Sequence, residues 1–155
     1  MPHDIEARLS ELGIDLPAAP RPAANYVPYV VSGNLVFIAG QVPATPQGLK
    51  YQGKLGADLS IEDGQAAARI CAVNILAQVK AACGGDLRRV VRCVKLGGFV
   101  NATADFVDHP KVVNGASDLI VEVLADAGKH ARFAVGAPSL PFDVAVEIDA
   151  VFEIA

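Results

Sequence analysis

Val144-Ala145-Val146-Glu147-Ile148-Asp149-Ala150-Val151-Phe152-Glu153-Ile154 is the stretch whose reading decides the fold. Val144, Val146, Ile148, Ala150 and Phe152 alternate with Ala145, Glu147, Asp149, Val151 and Glu153, the period of two that marks a strand. One face is wholly apolar and belongs against a core. The other carries three acids together with Ala145 and Val151. A half-apolar outer face suggests burial against another subunit, whereas on a lone monomer the acids are ordinary surface charges. From the residues alone both readings stand.

Upstream, Ala131-Arg132-Phe133-Ala134-Val135 reads as a second strand. Before it, Val112, Val113, Ala116, Leu119, Ile120, Val123, Leu124 and Ala127 recur on one helical face. Asp108-His109-Pro110 starts that helix and Gly128 is expected to end it. Val90 to Val100 reads as a strand with a bulge at Gly97-Gly98. Ser60-Ile61-Glu62-Asp63 resembles a capping box and opens a long helix closed by Gly84-Gly85. Ala44 to Leu59 reads as a loop. Tyr26 to Val31 and Leu35 to Ala39 form a hairpin across Ser32-Gly33-Asn34. A short helix, Ile5 to Leu12 with Gly13 at its end, leads the chain, and Pro17, Pro20 and Pro22 keep the next segment extended. The order is β-β-α-β-α-β-β after a leading helix. This is an α+β fold, a mixed sheet with two helices packed on one face. One domain spans 1–155, with 1–25 as helical extension and linker and 26–155 as core.

Composition narrows the function. The 155 residues are 52% apolar and 19% charged, too hydrophobic for disorder. No apolar run approaches the roughly 18 residues of a membrane span. The start, Met1-Pro2-His3-Asp4-Ile5-Glu6, has no basic region followed by an apolar one, so no secretory signal is expected. A net charge of −4 and scattered basic residues argue against a nucleic-acid partner, because phosphate contacts need a basic patch. Cys71, Cys83 and Cys93 are odd in number and contain no CxxC, so reduced thiols and a cytoplasmic location are expected. His3, His109 and His130 lie too far apart to suggest a metal site.

A few polar residues stand out. A strand arginine such as Arg132 is often a surface residue with its stem on the sheet, and pattern alone favours that reading. The functional alternative is a planar fork that holds a carboxylate or phosphate. Glu147 is either surface charge or a water-orienting base held at an interface. Asn114 reads as a benign helix residue, and Tyr26 as half-buried with a wet hydroxyl.

Ala131-Arg132, Ser139-Leu140-Pro141 and Val146-Glu147-Ile148-Asp149-Ala150 recur here in the order and spacing of a known signature. With Gly33-Asn34-Leu35 and Gly40-Gln41-Val42-Pro43, they make the chain from Tyr26 to Ala155 resemble the RidA (YjgF) family, also known as endoribonuclease L-PSP. The leading helix resembles a longer branch of it. The resemblance implies a chorismate-mutase-like fold, a homotrimer with sites between subunits, and no metal or organic cofactor. It implies hydrolysis of reactive enamines and imines, 2-imino acids becoming 2-oxo acids and ammonia. By position, Arg132 would hold the substrate carboxylate and Glu147 would orient the attacking water. Tyr26 would join them as a catalytic residue. Asn114, Gly40, Phe133 and Ala134 would contact the substrate. The chain departs from that pattern at Ala39 (a serine in the family), His130 (commonly a proline), Phe133 (a small polar residue) and Ala134 (a cysteine). The alternative is a trimer that binds a 2-oxo acid or other carboxylate without turnover. A ribonuclease or translation-inhibitor role fits the charge, the three Tyr and the absence of Trp less well.

Overall fold

The computed structural model describes residues 4–22 and 24–155. Expectations touching Met1-Pro2-His3 and Ala23 lie outside the described residues. Seven strands and three α-helices follow one another: α1 (Ile5–Glu11), β1 (Tyr29–Ser32), β2 (Leu35–Gln41), β3 (Ala44–Thr45), β4 (Gly48–Leu49), α2 (Ile61–Ala82), β5 (Val90–Asn101), α3 (His109–Leu124), β6 (Ala131–Ala137) and β7 (Val146–Ile154). The main sheet has the order β1-β2-β7-β5-β6. β5 and β6 are parallel across the α3 crossover, and every other neighbouring pair is antiparallel. The α+β reading therefore holds.

Local chemistry explains each helix. Ser60 accepts from the Asp63 amide at 3.1 Å while the Asp63 carboxylate accepts from the Ser60 amide at 3.2 Å. This reciprocal cap is worth about 1 kcal/mol to the start of α2. α3 buries Val112, Val113, Ala116, Leu119, Ile120, Val123 and Leu124. Each such side chain contributes about 1.5–3 kcal/mol when fully withdrawn from water. They meet Val146, Ile148, Ala150 and Phe152 of β7 in the core that lies between α2, α3 and one sheet face. Asp4 caps α1 through the Ala7 amide. Ile5 and Leu9 add that helix to the same core, and Arg8 Nε donates to the Glu122 carbonyl at 2.8 Å. The leading helix is thus a packed part of the core.

Some details differ from the reading of the sequence. The first strand begins at Tyr29, because Pro28 has no N–H to give the ladder. Tyr26 consequently sits in a loop. The segment 44–59 contains the small β3–β4 hairpin and buries Leu55 completely. Two-residue strands have no period to read. Gly97 and Gly98 stay in register, and the irregularities of β5 lie at Val90/Arg92 and Cys93/Lys95. Both glycines are there for close approach instead. A Cβ at Gly98 would lie 2.7 Å from Val113 of α3. α3 ends at Leu124, four residues before Gly128, with Ala125 turning left-handed at φ 53°. Ala145 belongs to no outer face. It is fully buried and its amide donates to the Tyr51 carbonyl at 2.9 Å.

Among the described residues, no helix is long and apolar enough to cross a membrane, and no group of three or more His, Cys, Asp or Glu is placed to hold a metal ion. Cys71, Cys83 and Cys93 are free and separately buried. Burial pushes the Cys93 thiol up to about 12 and raises Cys71 and Cys83 as well, which makes all three poor nucleophiles.

Candidate active site

Register divides the candidate residues between two sheet faces. Arg132 pairs with Leu96, which pairs with Ala150, and both of those side chains are buried in the core. Arg132 therefore points to the helix side. Glu147 pairs with Phe99, which pairs with Val135, and this row faces away from the helices. Within one protomer the sheet separates the guanidinium from the carboxylate.

On the helix side, Arg132 docks on α3. One guanidinium nitrogen donates to Asn114 Oδ1 at 2.9 Å and to Ser117 Oγ at 3.1 Å, and the other to the Pro110 carbonyl at 3.4 Å. Ser117 is also 2.9 Å from His130 Nε2, and His130 Nδ1 is 2.6 Å from the Gly128 carbonyl. A carbonyl only accepts, so Nδ1 of His130 is the donor to it, and in the tautomer with Nε2 unprotonated the Ser117 hydroxyl donates a hydrogen bond to Nε2. That leaves a serine lone pair for Arg132. Asn114 was legible from the resemblance. Ser117 and His130 were not, although Ser117 follows Asn114 by three residues, the spacing of neighbours on a helix face. Ala134 shares this face and packs against the core.

On the open face, a bulge positions the second half. Ile38 pairs with Ala150 but Gln41 pairs with Ile148, so Ala39 and Gly40 together oppose Asp149. The extra residue brings Gly40 against Glu147, where a Cβ would come within 2.1 Å of the Glu147 carboxylate. Bulges re-aim side chains in this way beside functional sites. Glu147, Gly40 and Tyr26 line one cavity of about 140 Å³, together with Pro28, Pro141 and Phe142. Burial raises the Glu147 carboxyl above its ordinary pKa, and the Asp149 charge adds to the rise. Burial also raises Asp149, against the pull of Lys95 and the Gly97 amide.

Phe133 lies on this open face too, away from Arg132 despite being next to it in sequence. Its ring meets Phe99 edge to face at 5.3 Å, and the Lys95 ammonium stands 5.5 Å above it. Gly97 makes room for the ring beside Asp149. Val30, Phe37, Phe99 and Val135 leave this face broadly apolar and exposed.

Phe142 was not foreseen. It follows the Leu140-Pro141 motif with φ 60° and ψ 16°, and Asp143 follows at φ 58°. Two successive left-handed residues without glycine cost on the order of 1–3 kcal/mol each and persist only where the surroundings hold them. Sequence carries no signal for this, because partners distant in the chain, Gln52, Gly53 and Asn101, help to hold the turn.

A mixed sheet backed by two helices thus carries a half-buried carboxylate on one face and a hydrogen-bonded guanidinium on the other. The family model described as "YjgF/chorismate mutase-like, putative endoribonuclease" matches residues 6–153. The chain belongs to this YjgF (RidA) family. The Trypanosoma cruzi protein TCP17 is 50% identical over 151 residues, 97% of this chain and 94% of that one. The solved structure of Atu1372 from Agrobacterium tumefaciens, a protein of unknown function, is 52% identical with TM-score 0.91, covering 97% of this chain and 92% of that one. A Shewanella oneidensis structure, described as a "putative endoribonuclease", is 36% identical with TM-score 0.94, covering 98% of this chain and 100% of that one. These likenesses include the leading helix as well as the core.

Proposed function

We propose that the protein hydrolyses reactive 2-imino acids to 2-oxo acids and ammonia. The observation that carries this reading is the half-buried Glu147 carboxylate, seated against Gly40 in a cavity and raised in pKa. A carboxylate so placed accepts a proton from water and gives it back. Arg132 is the partner expected to hold the substrate carboxylate, with Asn114 and Ser117 keeping its fork in place.

The chemistry asks little more. Water adds to the electrophilic imine carbon while Glu147 accepts its proton. The imine nitrogen takes a proton from solvent as the tetrahedral carbinolamine forms; Glu147 then passes its proton to that nitrogen, the C–N bond breaks to release ammonia, and the hydroxyl returns its proton to solvent as the C=O of the 2-oxo acid forms. Holding water and carbon together supplies much of the acceleration. Tyr26 and Gly40 shape the cavity around this step.

Arg132 and Glu147 face opposite ways in one chain, so the reading requires subunits to meet. The exposed apolar face around Phe37, Phe99 and Val135 is the surface such an assembly would cover, and a homotrimer with shared clefts fits it. One observation favours a second reading. Ala39 and Ala134 stand where the family carries a serine and a cysteine, so fewer polar groups surround a bound carboxylate, which suits a carboxylate-binding module without turnover.

The test is 2-oxo acid formation from imines generated in situ by an amino-acid oxidase, with spontaneous hydrolysis subtracted. Acceleration by wild type that disappears in Arg132→Ala supports the deaminase. Binding of a 2-oxo acid by a folded oligomer without any acceleration supports the binding module. RNA cleavage would count for the ribonuclease description only if Arg132→Ala and Glu147→Ala abolished it.

A further inference from the structure

We infer that Phe142 selects the substrate, and that the site takes 2-imino acids with an apolar, branched or aromatic side chain; this rests on the deaminase reading. The starting observation is an exposed aromatic ring held in a costly conformation. Phe142 is 57% exposed yet lines the same cavity as Glu147. A bulky side chain at φ 60° is a steric outlier, and the turn's own bonds, from the Asp143 amide to the Leu140 carbonyl at 3.1 Å and from the Val144 amide to the Pro141 carbonyl at 3.3 Å, close it locally.

Further bonds anchor the turn from outside. Gln52 Nε2 donates to the Phe142 carbonyl at 2.7 Å, and the Gly53 amide donates to the Asp143 carbonyl at 2.8 Å. Asn101, fully buried at the end of β5, donates to Asp143 Oδ1 at 3.1 Å and to the Gly53 carbonyl at 3.1 Å. The Lys54 ammonium donates to Asn101 Oδ1 at 2.8 Å and also to the Pro138 carbonyl. A polar network rooted on buried Asn101 therefore anchors the turn at 142–143, whose ring lines the cavity. Strain of this kind gathers where a side chain must stand in one place.

The ring's surroundings point to the ligand. Tyr26, Pro28, Val42 and Pro141 continue the apolar wall, and Glu147 is the acid at its base. A second carboxylate on the substrate would meet Glu147 with Asp149 behind it. A flat or branched hydrocarbon group would instead lie against Phe142 and shed water. Arg21 also borders the cavity, so an acidic side chain is the rival that the test must exclude.

The experiment compares imines made in situ from phenylalanine, leucine, alanine and aspartate, with wild type, Phe142→Leu, Phe142→Ala and Arg21→Ala. The expected result is a wild-type preference for the phenylalanine and leucine products. In Phe142→Ala the phenylalanine-to-alanine ratio of kcat/KM should fall about tenfold, with Phe142→Leu keeping most of the leucine preference. An unchanged ratio, or an aspartate preference lost in Arg21→Ala, overturns the inference. Absence of turnover with every precursor would reject the deaminase reading separately. Calorimetric binding of phenylpyruvate and pyruvate then decides the Phe142 claim by itself. Tighter phenylpyruvate binding that levels out in Phe142→Ala upholds it, and equal binding by wild type overturns it.

Discussion

Glu147 carries opposite consequences for activity and for stability. Its carboxyl is raised by burial, so the acid is favoured in the folded chain relative to the unfolded one. The penalty is absent below the unfolded-state pKa, where both states are protonated. It grows as pH rises through the folded-state value and is complete above it. Glu147→Gln is therefore expected to melt higher than wild type at pH 7 and level with it in acid, as thermal unfolding across pH would read. The same change should cut turnover by about 10²- to 10⁴-fold, the usual worth of a general base. Wild-type kcat should fall as pH drops through a value above the ordinary carboxylate range. At Arg132, the chain through Ser117 to His130 assigns Ser117 a positioning role. Ser117→Ala should raise KM for a carboxylate substrate several-fold while leaving kcat nearly alone, and Arg132→Ala should raise KM about 10- to 100-fold. A fall in kcat alone on Ser117→Ala would remove it from that role.

The bulge in β2 is the element on which the open half of the site depends. Gly40→Ala places a methyl group where the Glu147 carboxylate lies, so turnover should fall as far as in Glu147→Gln while the far-ultraviolet circular dichroism stays unchanged. Gly98→Ala sets the opposite pattern. Its new methyl meets Val113 between β5 and α3, and overpacking there should cost about 1–3 kcal/mol, visible as a lower Tm. These elements also mark what a sequence can and cannot disclose. The alternation in β7 and the stripe of α3 were plain, because each repeats its period over many residues. The β2 bulge repeats nothing: it is one extra residue whose sense appears only when β7 is laid beside it. The Gly97-Gly98 pair read as an irregularity for a related reason, since what those glycines accommodate lies on α3, β6 and β7. Ser117, His130 and Phe142 were hidden alike, each acquiring its role from a partner distant in sequence.

At the scale of the whole molecule, one chain presents Arg132 and Glu147 on opposite faces of the sheet, and one of those faces is apolar and exposed. If subunits pack through that face, Phe99→Asp should shift sedimentation toward the monomer and abolish turnover together, although Phe99 itself need not touch substrate. The most direct test of a site shared between subunits uses Arg132→Ala and Glu147→Gln, purified separately, mixed in equal amounts, dissociated and reassembled. Imine hydrolysis is then measured on the parents and the mixture. With substrate held well below the KM of Arg132→Ala, each parent should show little activity, and random reassembly should restore about a quarter of the wild-type rate, because a quarter of the clefts then join an intact Arg132 to an intact Glu147 from another chain. A mixture that stays inactive, with subunit exchange confirmed by mass spectrometry, would contradict the account.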